Sequence, residues 1–158
     1  TLVLTTRGTP QIYYGDEIGM RGDKGKGDAD IRRDFPGGWQ GDKNNAFTQS
    51  GRDELQNSYH SFTRKLLNYR KNKEVLHFGK LLQYLPEENV YVYFRHNEKE
   101  RVMVVLNNNP EDKEIDLSRF YEGLAGATSG KNILESRSVD LTGKLTVAGK
   151  TPMVIELN

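Results

Sequence analysis

Two groups of residues in this 158-residue sequence have the types and spacing to do chemistry. The first is Tyr13-Tyr14-Gly15-Asp16-Glu17, an aromatic pair running into a turn with two carboxylates. Carboxylates serve as general acids, general bases and nucleophiles. Adjacency alone does not make Asp16 and Glu17 a working pair, because acids that cleave a glycosidic bond flank the sugar, about 5–5.5 Å apart when configuration is retained. Their structural reading is that they cap a turn or pair with a nearby arginine. The second group is Asp28-Ala29-Asp30-Ile31-Arg32-Arg33-Asp34-Phe35-Pro36-Gly37-Gly38-Trp39. Arginine and aspartate offer forked hydrogen bonds that suit sugar hydroxyls, and Trp39 offers a flat apolar face to a pyranose ring. The same residues also read as a salt bridge stapling a loop, with Trp39 packed as its anchor. Asp23, Asp28 and Asp30 raise the question of calcium, but their spacing fits no calcium loop. No metal or other cofactor is expected. His60, His77 and His96 are scattered and form no ligand set, and Gly22, Gly25 and Gly27 lack the strand and helix start of a phosphate loop.

The elements that must position these residues fall into three zones. In residues 1–19, Gln11-Ile12-Tyr13-Tyr14 has the β-branched and aromatic character of a short buried strand. Residues 20–51 show no hydrophobic period and read as an ordered excursion over a site, with Phe35, Trp39 and Phe47 as large side chains. Residues 52–73 carry a helix, because Leu55, Tyr59, Phe62, Leu66 and Tyr69 trace one face at spacings of four, three, four and three. Asp53 and Glu54 at its start and Arg70, Lys71 and Lys73 at its end suit the helix dipole. From about residue 76 the period is two. Strands are expected at 80–85, 90–95, 101–107, 114–117, 133–136, 144–147 and 153–157, with a hairpin loop at 96–99. The fold class is therefore mainly β, an antiparallel sandwich of Greek-key type.

Bulk properties narrow the partners. Lys and Arg number 23 against 22 Asp and Glu, a net charge of +1, which leaves no basic excess for nucleic acid. No apolar run reaches the ~20 residues of a membrane-spanning helix. The absence of cysteine excludes disulfides without fixing a compartment. The opening Thr-Leu-Val-Leu-Thr-Thr reads like a cut into a longer protein, so any targeting signal is expected upstream. Localisation is not legible here; a periplasmic or secreted parent would need such a signal.

Arg7-Gly8-Thr9-Pro10-Gln11-Ile12-Tyr13-Tyr14-Gly15-Asp16-Glu17-Ile18-Gly19 resembles the segment around the eighth barrel strand of α-amylase-family glycoside hydrolases. Asp30-Ile31-Arg32-Arg33-Asp34-Phe35-Pro36-Gly37-Gly38-Trp39 and Asn45-Ala46-Phe47-Thr48 are similar to neopullulanases and cyclomaltodextrinases in particular. The resemblance implies residues 1–74 as the end of a (β/α)8 barrel, truncated here to strand eight, its long loop and helix eight. Residues 75–158 would be the C-terminal sandwich. Asp28 and Arg32 would match the loop residues that hold a glucose unit, Tyr14 and Trp39 would also bind substrate, and Asp16 and Glu17 would be structural near the site. The family's nucleophile, acid/base and supporting acid would all lie upstream of Thr1, so no catalytic residue is expected in this chain.

The implied parent is a retaining glycosidase of α-glucans or cyclodextrins, with this chain completing its barrel and cleft without doing the chemistry. Its expected partners are that glucan, the rest of the barrel and a second copy of itself. An alternative is a non-catalytic carbohydrate-binding or packing module, with Tyr84, Tyr91, Tyr93 and Phe94 as a sugar platform. Alternation limits that platform, because Tyr91 and Tyr93 share one face while Val90, Val92 and Phe94 take the other.

Overall fold

The computed structural model describes residues 1–158, which divide into two compact units: Thr1–Pro10 with Asn68–Asn158, and Gln11–Leu67. Five helices occur in chain order: α1 (Leu2–Thr5), α2 (Asp28–Ile31), α3 (Glu54–Lys71), α4 (Glu74–Phe78) and α5 (Tyr121–Leu124). The strands are β1 (Lys80–Gln83), β2 (Val90–His96), β3 (Arg101–Asn107), β4 (Lys113–Asp116), β5 (Ser129–Asn132), β6 (Arg137–Asp140), β7 (Lys144–Val147) and β8 (Pro152–Leu157).

In the first unit the strands build two antiparallel sheets. The larger runs β1-β2-β3-β8-β5-β6, and β4 pairs with β7 in the smaller. The long return of β8 to lie beside β3 is the crossing connection expected of a Greek-key sandwich. Val92 and Phe94 of β2, Met103 and Val105 of β3 and Ile155 of β8 point to one face. They pack with Leu117, Phe120, Leu145 and Val147 as the core.

The other face of β2 is covered too. Tyr93 and Arg95 are wholly buried. The Tyr93 hydroxyl meets Thr5 Oγ1. The Arg95 guanidinium donates to the carbonyls of Thr5 (2.9 Å), Thr6 (2.8 Å), Leu76 (3.2 Å) and Gly79 (2.9 Å). Arg70 donates to Leu4 O at 2.8 Å and Gly8 O at 3.3 Å. Residues 1–8 and the end of α4 thus meet the sandwich through backbone carbonyls at helix ends, which would otherwise lack partners.

Two sequence expectations are corrected. Gln11–Tyr14 forms no strand, because no extended segment of this chain lies alongside it to accept ladder hydrogen bonds. Tyr13 N turns instead to Asp16 Oδ2 at 2.9 Å. Residues 133–136 are the turn between β5 and β6, not a strand. Asn132 Oδ1 accepts from Leu134 N, and Ser136 takes a left-handed φ of 61°. Ile133 is buried there because the turn folds it inward, so its apolar character reported burial without a strand.

The second unit contains most of α3, whose start is fixed by a reciprocal cap. Asp53 Oδ1 accepts from Gln56 N, and Gln56 Oε1 accepts from Asp53 N. Along the expected stripe Leu66 is fully buried and Phe62 is half-buried, whereas Leu55 and Tyr59 remain exposed.

Candidate functional site

Asp16–Ile18 form a 3-10 turn held between two left-handed glycines, Gly15 (φ 91°) and Gly19 (φ 66°). Gly19 is required twice over, since a Cβ there would also lie 2.6 Å from the Tyr59 ring. Both acids of the turn are committed to backbone donors: Asp16 Oδ2 to Tyr13 N, and Glu17 Oε2 to Gly15 N, each at 2.9 Å. Tyr13 and Tyr14 stand beside them with ring centroids 4.5 Å apart.

Asp28 begins α2 and Arg32 directly follows it, and the two pair at 3.4 Å, with Lys24 as a second cation on Asp28. Asp30 accepts from Asp23 N at 2.6 Å and pairs with Arg33. The Arg33 hydrogen bond, then the Asp23 amide, holds the Asp30 carboxyl below its ordinary range. With Asp23 Oδ1 accepting from Gly25 N, each of the three aspartates has its own local partner. No group of three His, Asp or Glu side chains converges on a metal position.

Tyr13, Tyr14, Asp16, Met20, Asp30 and Arg33 line a small cleft of about 70 Å³. Enclosed ligand pockets run to roughly 300–1,000 Å³, so this cleft is one wall of a site and not a site in itself. Tyr14 lies within electrostatic reach of Arg32 and Asp34. Loss of hydration, then Tyr13 and the charge of Asp34, raises its pKa above the usual phenol value, with Arg32 pulling the other way. Its hydroxyl is therefore a neutral donor and acceptor at neutral pH.

Trp39 is set apart from this cleft and is 75% exposed, so it is not the packed anchor of the loop. Anchoring falls to Phe35 on Phe47 (4.7 Å) and to Arg52, which holds Ala46 O at 2.9 Å. The tyrosine platform of the alternative reading is also overturned. Phe94 and Tyr93 are buried, and Tyr84 packs edge-on against Phe120 at 4.9 Å while its hydroxyl accepts from Gly123 N. Tyr91 is tilted 38° to Tyr93, and its hydroxyl donates to Gln83.

Comparison with known proteins gives this geometry a family. Residues 81–156 match the Cyclo-malto-dextrinase C-terminal domain model. Cyclomaltodextrinase of Thermoanaerobacter pseudethanolicus is 32% identical over 138 residues, 87% of this chain and 20% of that protein. This chain belongs to the α-amylase family. Trehalose synthase of Thermus thermophilus is 36% identical over 150 residues, 78% of this chain and 15% of that protein. The chain thus matches a fifth or less of the length of these two relatives. The α-amylase of Geobacillus thermoleovorans, solved with acarbose, shares the fold with a TM-score of 0.74 over 99% of this chain and 31% of that chain, at 21% identity.

Of the residues the sequence put forward, Tyr14 and Asp16 line the cleft, whereas Asp28, Arg32, Glu17 and Trp39 do not. Sequence reasoning held Tyr13, Asp30 and Arg33 within its two chemistry-bearing groups without assigning them to the cleft, and it missed Met20. The spacing of Asp30 and Arg33, three apart on one helical turn, was the available signal.

Proposed function

We propose that this chain is the non-catalytic C-terminal part of a retaining α-glucan- or cyclodextrin-acting glycosidase, to which it lends a sugar-binding loop. On this reading residues 1–74 supply the last β/α unit of the barrel and residues 75–158 the sandwich behind it. The observation that carries it is the loop itself. Arg32 is exposed and paired with Asp28, Tyr14 lines the cleft with its hydroxyl neutral, and Asp16 and Glu17 are spent on the turn that places Tyr14. A guanidinium and a phenol bind hydroxyls; neither cleaves an acetal. The cleaving acids belong on this reading to barrel strands of the longer protein, since a retaining pair must face each other across the sugar.

The test is Arg32→Ala in that longer protein. Losing a charged hydrogen bond to bound sugar lowers transition-state binding by about 1.5–3 kcal/mol, roughly ten- to a hundredfold in kcat/KM. The melting temperature stays near that of the wild type, because Arg32 makes only an exposed ion pair. Unchanged kcat/KM on a long maltooligosaccharide, with a large fall in melting temperature, would assign Arg32 to structure and remove the reading's support.

A further inference from the structure

Phe78 ends α4 with its ring 84% exposed, the most exposed large apolar side chain in the protein. It borders an open notch of about 510 Å³ that is also lined by Gly79, His96 and the β2–β3 turn, Asn97 to Lys99. That volume falls within the roughly 300–1,000 Å³ of small-ligand sites. The backbone around it is held firmly. Lys80 pairs with His96 across β1 and β2, and Arg95 fixes Gly79 O from beneath. Asn97 Oδ1 accepts from both Lys99 N and Glu100 N, which sets the turn.

The polar side chains of the notch are uncommitted. Glu74, Lys80, Glu98 and Lys99 line it, and none forms an ion pair, although nine such pairs occur elsewhere in the chain. His96 is neutral at pH 7, because burial and then the charges of Arg101 and Lys80 hold its pKa below the ordinary imidazole value. Two carboxylates and two ammonium groups cancel, so the notch has no net charge with which to select a phosphate or an acidic or basic peptide. It offers instead one largely exposed aromatic ring, set at right angles to His77 at 6.0 Å, among mixed donors and acceptors. That is the pattern for a ligand with an apolar face and a neutral ring of hydroxyls.

We infer that the notch between the end of α4 and the β2–β3 turn binds a neutral oligosaccharide, with a sugar ring laid on Phe78. The proposed function contributes only the identity of the sugar, glucose units in α linkage. Lys80, His96 and Glu98 bond its hydroxyls. The sandwich thereby holds glucan by its own residues, independently of Tyr14 and Arg32.

The experiment is titration of the ¹⁵N-labelled chain with maltoheptaose, read by amide shifts. Saturable shifts at Gly79, Lys80, His96, Asn97 and Lys99 are expected. Phe78→Ala should weaken binding about tenfold, the loss of one aromatic contact, without changing the melting temperature. Tyr14→Ala should leave the notch shifts intact. Absence of notch shifts up to about 20 mM maltoheptaose overturns the inference, whatever happens at the Tyr14–Arg32 loop. Shifts confined to that loop support the proposed function alone. Shifts at the notch without any at the loop support the inference alone. The rival occupant of Phe78 is another segment of the longer protein. Phe78→Ala made there should leave the melting temperature unchanged; a fall of several degrees, the mark of a truncated buried ring, overturns the inference.

Discussion

Arg95 carries a full charge into the interior with no carboxylate beside it. Its stabilisation comes from four carbonyl oxygens at the ends of α1 and α4, each of which would be left without a donor if the guanidinium were removed. Burial, then the nearby charges of Arg70 and Arg7, lowers its pKa, yet arginine remains protonated throughout the working range. Stranding buried carbonyls costs about 1–3 kcal/mol each before water relieves some of them, so Arg95→Met should cost about 3–5 kcal/mol in all. For a chain of this size that is a fall of about 10 °C in melting temperature. Arg95→Lys should recover only part of it, because one ammonium cannot reach the carbonyls of two helix ends as a planar fork does. A melting temperature within about 2 °C of wild type for Arg95→Met would show that the carbonyls are satisfied without it. None of this was legible in the sequence. Alternation placed Arg95 on the face opposite the core, but the cover for that face comes from residues some 90 positions earlier, a contact no local pattern announces. Asp28 and Arg32 were singled out through the family resemblance alone; their pairing, four residues apart, is a local contact of the kind that spacing can show.

Among the elements, those whose chemistry is local were legible and those defined by a distant neighbour were not. Helix α3 follows from its apolar stripe and terminal charges, and β2 and β3 from β-branched and aromatic runs on either side of the 96–99 loop. Gln11–Tyr14 has strand composition yet no strand beside it, because a ladder requires a second chain segment as well as a suitable sequence. The end of α3 shows the same limit. Lys73 was read as a charge suited to the helix dipole, but it bridges Glu100 of the β2–β3 turn, at 3.1 Å, and Glu156 of β8. Desolvation opposes ionisation of Glu100, and the Lys73 and Val75 hydrogen bonds outweigh it, leaving the pKa below the ordinary 4.5. Lys73 likewise loses hydration, but its two carboxylate partners raise it above 10.5. The signs follow from these directions. The depressed Glu100 contributes stability above pH 4.5 that is lost as pH falls through its folded value. The raised Lys73 contributes below pH 10.5 and is lost as pH rises through its own. The stability difference between wild type and Lys73→Met, measured by urea midpoint, should therefore be largest near neutral pH and shrink below pH 4.5. A difference that stays constant down to pH 3 would mean, by linkage, that the bridge contributes nothing through ionisation.

At the scale of the whole molecule the two units differ in how well they bury themselves. The sandwich has a continuous core, whereas the unit spanning residues 11–67 leaves Ile12, Leu55, Tyr59 and Leu67 in contact with water, apart from the cleft. Each large apolar side chain left exposed forgoes about 1.5–3 kcal/mol of burial, more than an ordinary surface leaves unused. In the longer protein the proposed barrel would cover these groups. In the 158-residue chain a second copy is the available cover, and a symmetric dimer is the commonest closed arrangement. Light scattering should therefore give a mass that rises with concentration from 18.0 kDa toward twice that value. Leu55→Glu is the discriminating variant. Residue 55 lies in the first turn of α3, where an added acid suits the helix dipole, and its side chain is 56% exposed, so folding is preserved while the apolar stripe is interrupted. The variant should stay monomeric at concentrations where the wild type associates. The competing outcome is that residues 11–67 fray in isolation and the sandwich remains a monomer. Hydrogen exchange separates the two, because fraying leaves the α3 amides unprotected at every concentration, whereas association protects them as concentration rises. A constant 18.0 kDa for the wild type with α3 fully protected would contradict both, and would mean that these exposed side chains need no partner at all.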